Sequence, residues 1–458
     1  MFRNKHKNIL VIFLLCLSIS VLVVPITIRY CWKVKSNPFF IEIKSGITGT
    51  ISIEDERVNL AYSKHKSNGG NSLGWTRIRN RVNGIKLQNF FNCGNKRSIG
   101  DFSKVVGITG NDGWYYIFAN GIDSFFDPGV MGQRTQDFKN WFPVPSFPNN
   151  TNSLIYQKFF GYDFDSKETL YCCFSDYQGM IMGHTNYSFY FLQIDDDHWN
   201  KSNITFQGKL EYYIKSQYCM FKNRHAILWN YYNESIDLIE LHLAIQLENY
   251  KWQNYTISLP QKDLNPIGFE KTNQNLQFYF YGLNYYGENN SSNYKITSIY
   301  SAEIIENKTE YNLIYSYPSR IYINNDNIHN WHNGSFSLFF SEHNNVIPSL
   351  YYGILTGDKL IKSKVCYNSS FNDFYALQML IKEEIVYLVW SEAYYNSGEF
   401  VNLYNLYILR FHANGSLESA LEATKQVIEW IEEVNTTSFE FTVIIFVIFL
   451  IRKRKRRV

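Results

Sequence analysis

Two carboxylates in the 458-residue chain occupy positions from which they could do acid–base chemistry. Asp127 opens the turn-like segment Asp127-Pro-Gly-Val, and Glu392 follows a predicted strand that ends in Val389-Trp-Ser. Two carboxylates that face each other across a cleft can hydrolyse a glycosidic bond, one as general acid and the other as base or nucleophile. Carboxylates are also common in turns, which is the ordinary interpretation of both residues. Asp127 and Glu392 are therefore the candidate catalytic pair.

Three tryptophans are the candidates for contact with a ligand. Trp75, Trp114 and Trp331 lie in or beside predicted loops. A large flat ring can stack on a sugar or anchor a protein partner. Tryptophan is equally common in the core between packed sheets, so the alternative is a purely structural role.

The sequence predicts no metal site and no cofactor. His329 and His332 form a close pair but lack the helical spacing and the neighbouring Glu of a zinc protease. Asp195, Asp196 and Asp197 lack the Gly and the distal Glu of a calcium-binding EF-hand. The chain also contains no C-x-x-C, no phosphate-binding loop and no dinucleotide fingerprint.

The elements that must position these residues are short strands rich in Tyr, Phe, Ile and Val. A similar strand core recurs with a spacing of about 50 residues, which is typical of a repeat architecture. The recurring cores are residues 58–63, 115–118, 171–174, 218–221, 278–281, 336–340 and 385–390. Units of this length, each a small antiparallel sheet, indicate an all-β fold, and we predict a β-propeller of six or seven blades over residues 36–415. A pair of β-sandwiches and a β-solenoid are the alternatives.

One segment resembles known families. Arg134-Thr-Gln-Asp137-Phe-Lys-Asn-Trp141 is similar to a turn of five-bladed glycosidase propellers and to a shortened Asp-box of sialidases. The resemblance implies that Asp137 accepts backbone N–H bonds in a hairpin while Trp141 packs between blades, which is a structural role. Asp127-Pro-Gly-Val also resembles a segment that carries a catalytic Asp in several five-bladed families. It departs from them because it follows an earlier β unit instead of opening the first blade.

Thirteen Asn-x-Ser/Thr sequons lie between Asn149 and Asn435, whereas the first 148 residues contain none. A sequon is modified only in the secretory pathway and only where it is exposed, so the clustering predicts that this region is lumenal or extracellular. The chain is also rich in Asn, so some sequons are expected by chance. The predicted glycosylation sites are Asn149, Asn186, Asn200, Asn203, Asn233, Asn254, Asn289, Asn290, Asn307, Asn333, Asn368 and Asn414, with Asn435 as the last sequon.

Both ends of the chain have the pattern of membrane segments. Residues 1–28 contain three basic residues and an apolar run, which predicts a signal peptide or a retained signal anchor. Residues 416–438 have the apolar stripe of an amphipathic stalk helix. Residues 439–451 form an apolar run of marginal length for a transmembrane segment, and the basic residues 452–458 are typical of a cytoplasmic tail.

Charge agrees with this topology. The net charge of +3 includes three basic residues before the first apolar run and six after the second, which leaves 35 basic against 41 acidic residues. A mildly acidic folded region argues against a nucleic-acid partner. We therefore predict a membrane-anchored, glycosylated ectodomain at a cell surface or endomembrane that recognises a glycan or protein. The alternatives are a glycoside hydrolase of a β-propeller superfamily and a purely structural coat or adhesion protein.

Overall fold

The computed structural model describes residues 39–413, except 45, 55–56, 66–70, 80–86, 93–100, 112, 123–127, 138–139, 141, 145–154, 179–185, 195–198, 208–214, 249, 261, 272–274, 286–293, 306–307, 332, 345–346, 366–372, 383 and 397–400. The predicted segments 1–28, 416–438, 439–451 and 452–458 lie outside the described residues. All elements in the described part are strands, and this part contains no helix that is long and apolar enough to span a membrane.

The described residues form seven four-stranded antiparallel sheets. Four consecutive sheets contain β2 (Gly46–Glu54), β3 (Arg57–His65), β4 (Asn71–Arg79) and β5 (Leu87–Asn92); β6 (Asp101–Asn111), β7 (Trp114–Ile122), β8 (Pro128–Thr135) and β9 (Phe142–Pro143); β10 (Ile155–Phe164), β11 (Leu170–Gln178), β12 (Asn186–Ile194) and β13 (Trp199–Gln207); and β14 (Ser216–Phe221), β15 (Arg224–Asn233), β16 (Leu238–Gln246) and β17 (Trp252–Ile257).

The remaining three sheets follow in the same pattern, except that the last one takes a strand from the beginning of the described chain. They contain β18 (Lys262–Lys271), β19 (Leu276–Tyr285), β20 (Tyr294–Ile305) and β21 (Lys308–Tyr317); β22 (Ile321–Asn330), β23 (Ser335–Asn344), β24 (Ile347–Thr356) and β25 (Lys359–Lys364); and β26 (Asp373–Lys382), β27 (Ile385–Asn396), β28 (Val401–His412) and β1 (Phe39–Lys44). Strand β1 pairs with β28 as the outermost strand of that sheet.

The first strands of the seven sheets make a closed ring. Each contacts the next in the order β2, β6, β10, β14, β18, β22 and β26, and β26 contacts β2 again. This arrangement is a β-propeller, and its seven described sheets fall within the predicted six or seven blades. We call the ring strands inner strands. The upper side of the propeller is the side on which the inner strands begin, and the lower side is the side on which they end.

The hydrophobic core lies between neighbouring sheets. One cluster joins Phe189 and Phe191 of β12 to Met220 of β14 and Trp229 of β15. Equivalent clusters fill the next two sheet boundaries along the chain and the preceding one. Because each sheet is covered on both faces, its middle strands are continuously apolar, which explains why the repeat was visible as aromatic runs and not as strict alternation.

Amide side chains join consecutive inner strands. Asn327 of β22 donates to the Leu377 carbonyl at 3.2 Å and accepts from the Met379 N–H at 2.6 Å, both in β26. Gln378 of β26 accepts from the Ile51 N–H of β2 at 2.9 Å. An inner strand is a sheet edge, so these bonds satisfy backbone groups that have no partner strand.

The structure corrects one part of the predicted repeat. Six of the seven recurring cores are the second strands of their sheets, but residues 218–221 belong to the first strand, β14. The second strand there is β15, whose core Ala226-Ile-Leu-Trp begins with aliphatic residues, whereas Tyr218-Cys-Met-Phe in β14 resembles Tyr171-Cys-Cys-Phe in β11.

The expected turn at Asp137 is confirmed, because its Oδ1 accepts from the Asn140 N–H at 2.8 Å.

Candidate functional site

The structure does not bring the candidate catalytic pair together in the described part of the chain. Asp127 lies outside the described residues. Glu392 lies near the upper end of β27, and 0% of it is exposed to solvent. Its Oε1 accepts a hydrogen bond from the Trp390 indole N–H at 3.1 Å. A carboxylate without accessible surface cannot contact a sugar. In this position Glu392 stabilises its own strand through the bond to Trp390 and does not face a ligand.

The three candidate tryptophans do not share one mouth of the propeller. Trp75 lies within β4, so its prediction as a loop residue is wrong. Trp114 begins β7 after the turn from β6, where the Arg134 guanidinium lies over its ring at 4.4 Å. Trp331 follows β22 and donates to the Ser337 hydroxyl at 2.8 Å. Trp114 and Trp331 are both at lower-side turns and both are engaged by their own sheet, which indicates structural roles.

A basic and aromatic cluster, which the sequence analysis missed, lies on the upper side. It consists of Lys215, Tyr281, Arg320 and Tyr322, contributed by three consecutive sheets. Lys215 immediately precedes β14, and Arg320 immediately precedes β22, of which Tyr322 is the second residue. The Lys215 ammonium lies 5.8 Å from the centre of the Tyr322 ring, and the Arg320 guanidinium lies 4.6 Å from the same centre. Two cations therefore share one aromatic ring at the beginning of an inner strand.

Local hydrogen bonds fix Lys215 in this position. Its N–H donates to Oδ1 of Asn230 at 2.7 Å, and its carbonyl accepts from the Asn230 N–H at 3.1 Å. The Lys215 ammonium donates to the Tyr281 hydroxyl at 2.7 Å in the next sheet, and it lies 5.2 Å from the centre of that ring. Because Tyr281 is fully buried, its hydroxyl is a fixed acceptor. The lysine is thus held across the boundary between two sheets.

The same Lys–Tyr pairing recurs at Lys362, but there a carboxylate completes it. Lys362 donates to the Tyr317 hydroxyl and to Oε2 of Glu342, the latter at 2.6 Å. Glu342 also accepts from the Ser319 hydroxyl at 2.7 Å. By contrast, the Lys215 side chain contacts the Tyr281 hydroxyl and the rings of Tyr281 and Tyr322. No carboxylate of the described residues forms an ion pair with it.

Tyr317 and Glu342 form a hydrogen-bonded pair, but their environment is not that of an activated nucleophile. The Tyr317 hydroxyl donates to Oε2 of Glu342 at 2.8 Å, yet only 4% of Tyr317 and 5% of Glu342 are exposed. Burial, opposed by the hydrogen bond from Lys362, raises the pKa of Tyr317 to about 12. A buried tyrosine that resists ionisation is a poor nucleophile, so this network stabilises the boundary between two sheets.

The structure also describes residues that the sequence singled out as possible metal ligands, as cysteines and as glycosylation sites. Among the described residues, no group of three or more His, Cys, Asp or Glu side chains could hold a metal ion. Cys172 and Cys173 are buried free thiols that pack into different core clusters, as expected for neighbours on a strand.

Of the sequon asparagines, Asn203, Asn254 and Asn333 are exposed and Asn233 is partly buried. Predicted glycosylation sites outside the described residues are Asn149, Asn289, Asn290, Asn307, Asn368 and Asn414.

Comparison with known proteins supports no assignment by sequence. No protein-family model matches the chain, and no curated protein matches it either. Similar solved structures include a puromycin-hydrolysing peptidase of Mycobacterium tuberculosis, with a TM-score of 0.45, 9% identity, and coverage of 80% of this chain and 51% of that one. They also include the α-L-arabinofuranosidase of Fusarium graminearum in complex with arabinobiose, with a TM-score of 0.40, 10% identity, and coverage of 67% and 91%.

A mutant of the Aleuria aurantia lectin in complex with α-methyl-L-fucoside is similar at a TM-score of 0.39 and 10% identity, with coverage of 70% of this chain and 95% of the lectin. At these scores the likenesses do not decide what the chain binds. The assignment as a β-propeller stands on the closed ring of sheets itself.

Proposed function

We propose that this protein is a recognition module that binds an anionic glycan on the upper side of its propeller, through Lys215, Arg320 and Tyr322. The observation that carries the proposal is the arrangement of Lys215, a residue of intermediate burial whose ammonium donates to the Tyr281 hydroxyl. It is held in the same Lys–Tyr pairing as Lys362, but no carboxylate of the described residues pairs with it. A ligand carboxylate or sulfate would supply the missing negative charge.

Electrostatics favour an external anion at this point. Removing a cation from water is costly unless an anion or strong acceptors compensate. At Lys362 the compensation is internal, through Glu342. At Lys215 the aromatic rings and one hydroxyl compensate in part, and Arg320 adds a second positive charge over the ring of Tyr322. A charge-assisted hydrogen bond from the Lys215 ammonium to a ligand anion would therefore be strong, and the guanidinium of Arg320 would add positive charge nearby.

Recognition is favoured over hydrolysis. A glycoside hydrolase needs two accessible carboxylates, and Glu392 has no accessible surface. Glu342, which ends the matching Phe-Ser-Glu segment in the preceding sheet, is also buried and bonded.

The proposal includes the cellular location of the protein. The sequons after residue 148 and the apolar runs near both ends support a membrane-anchored, glycosylated chain whose propeller is lumenal or extracellular. A glycan or protein partner at a cell surface or endomembrane fits this location.

The test is a glycan array probed with the full chain, produced in a secretory host and purified in detergent. We expect binding to carboxylated or sulfated glycans that weakens with salt, and a loss of roughly tenfold or more in Lys215→Met, as for a charge-assisted hydrogen bond. Lys359→Met is the matched control, because it removes the same charge from an exposed position on β25.

Three outcomes would contradict the proposal. Equal binding of neutral glycans, with no effect of Lys215→Met, would move the site elsewhere. Loss of terminal sugars from the array would favour the hydrolase. A folded chain that retains no glycan would favour a protein ligand.

A further inference from the structure

The outermost strand of each sheet leaves one row of backbone groups without a partner strand, which is a template for pairing between copies of a protein. In four consecutive sheets these strands are β13, β17, β21 and β25. Native proteins protect such edges with charged side chains, above all lysine. The four strands differ sharply in this respect.

Two of the four edges carry charge. Strand β25 contains Lys359, Lys362 and Lys364, and β21 contains Lys308 and Glu310, both exposed. Strand β17, Trp252–Ile257, contains no charged residue at all. Strand β13 contains one lysine in nine residues. Charge therefore protects β21 and β25 but not β13 and β17.

Of these four edges, the two that are poor in charge each carry a sequon in mid-strand, whereas the uncharged outermost strand β5 carries none. These are Asn203-Ile204-Thr205 in β13 and Asn254-Tyr255-Thr256 in β17. Side chains alternate between the two faces of a strand, so the Asn and Thr of each sequon share a face. All four of these residues are exposed.

The middle residue of each sequon faces the opposite way. Ile204 packs against the core cluster between the β10–β13 and β14–β17 sheets, and Tyr255 packs against the cluster of the next boundary. Packing of the middle residue fixes the outward direction of the asparagine. An attached sugar chain would therefore project into solvent beside the open edge.

We propose that N-glycans on Asn203 and Asn254 cap the open edges of these two sheets and prevent copies of the chain from pairing there. The inference rests on the lumenal location in the proposed function. A glycan is bulky and hydrophilic, so on β13 and β17 it does what lysines do on β25.

Sequons in turns serve as the comparison. Oδ1 of Asn333 accepts from the Ser335 N–H at 3.0 Å in the turn between β22 and β23, neither of which is the outermost strand of the sheet. Asn333→Asp removes this sequon and keeps the oxygen that caps the turn. The variant therefore deletes one possible glycan without exposing an edge.

The test begins with site occupancy in the full chain from a secretory host, measured by mass spectrometry after enzymatic release of the glycans. We expect Asn203 and Asn254 to be modified. Self-association is then measured by light scattering in detergent for a variant with Asn200→Gln, Asn203→Gln and Asn254→Gln. Asn200 is included because it lies on β13. The expected result is a shift toward dimers and larger species relative to the wild type and to Asn333→Asp.

Two further samples separate edge protection from a folding defect. Replacing the two edge asparagines by lysine, as Asn203→Lys and Asn254→Lys with Asn200→Gln, should restore the wild-type distribution without any glycan. Trimming the glycans of the folded wild-type protein should increase association. Unmodified Asn203 and Asn254 in a chain whose turn sequons are occupied would overturn this inference alone, as would unchanged association after trimming. A chain with no occupied sequon would overturn the lumenal location as well.

Discussion

At the scale of single residues, Lys362 and Lys215 each donate to a tyrosine hydroxyl, but the consequences of the two contacts differ. Lys362 neutralises a carboxylate that the fold has buried, whereas Lys215 adds a charge that the described residues do not neutralise. Their substitution should therefore affect different measurements. Lys215→Met should weaken ligand binding, and Lys362→Met should weaken the fold.

We expect Lys362→Met to lower the free energy of unfolding by roughly 2 kcal/mol, the usual loss of a hydrogen bond to a charged group. Glu342 would keep its bonds from Tyr317 and Ser319 but lose its cation. The measurement is urea unfolding, and Glu342→Gln in the same chain should recover part of the loss. A Lys362→Met protein as stable as the wild type would show that Glu342 is adequately solvated.

His225 predicts how stability depends on pH. Burial lowers its pKa from 6.5 to about 4, among the rings of Phe191 and Trp252 and 2.9 Å from the Tyr218 hydroxyl. Between pH 6.5 and about pH 4, His225 is protonated in the unfolded chain but stays neutral in the folded chain. The contribution of His225 to stability therefore falls as the pH decreases from 6.5 to about 4, by roughly 3 kcal/mol in total.

The check is the free energy of unfolding at pH 7.5 and pH 4.5. The loss at pH 4.5 should shrink in His225→Phe and stay the same in His412→Phe, since His412 is exposed. An unchanged pH dependence in His225→Phe would assign the loss to other groups.

At the scale of elements, amide side chains hold the inner strands together. Asn327→Ala would leave the Leu377 carbonyl and the Met379 N–H of β26 without their bonds. We expect a loss of roughly 3 kcal/mol, because both groups are buried. The exposed Asn312→Ala on β21 is the control for urea unfolding, and equal stability of the two variants would contradict this role.

The sequence predicted the elements better than their contacts. Second strands are recognisable because they are buried on both faces and rich in Tyr, Phe and Val, as in 385–390. The basic residues that precede inner strands also recur, at Lys215 and Arg320, and aligning the units on their first strands would have revealed them. Their meeting at Tyr322 depends on how three sheets are placed around the ring, which a linear pattern does not specify.

The burial of Glu392 could not be predicted from the sequence for a related reason. A strand that ends in Trp-Ser-Glu looks the same in sequence whether the carboxylate faces a cleft or a neighbouring sheet. Phe-Ser-Glu at Glu342 in the preceding sheet has the same pattern and is also buried. Two buried copies of one motif indicate a structural repeat.

At the scale of the whole molecule, the ring is completed by β1 beside β28. A chain that begins at Gly46 lacks β1 and leaves the edge of β28 open. We expect it to unfold at lower urea concentration than a chain that begins at Phe39, and to associate more readily. Urea unfolding and light scattering of the two chains check this, and equal behaviour would show that three strands suffice for the last sheet.

The position of β1 has a consequence for biosynthesis. The strand leaves the ribosome before every other strand in the described part, but its partner β28 is synthesised last. At ordinary translation rates β1 must wait on the order of half a minute. During that interval the nascent chain carries the strand Phe39–Lys44 without the partner strand that it pairs with in the folded protein. The last sheet can therefore be completed only after β28 has been synthesised, and a chain terminated before β28 carries an unpaired β1.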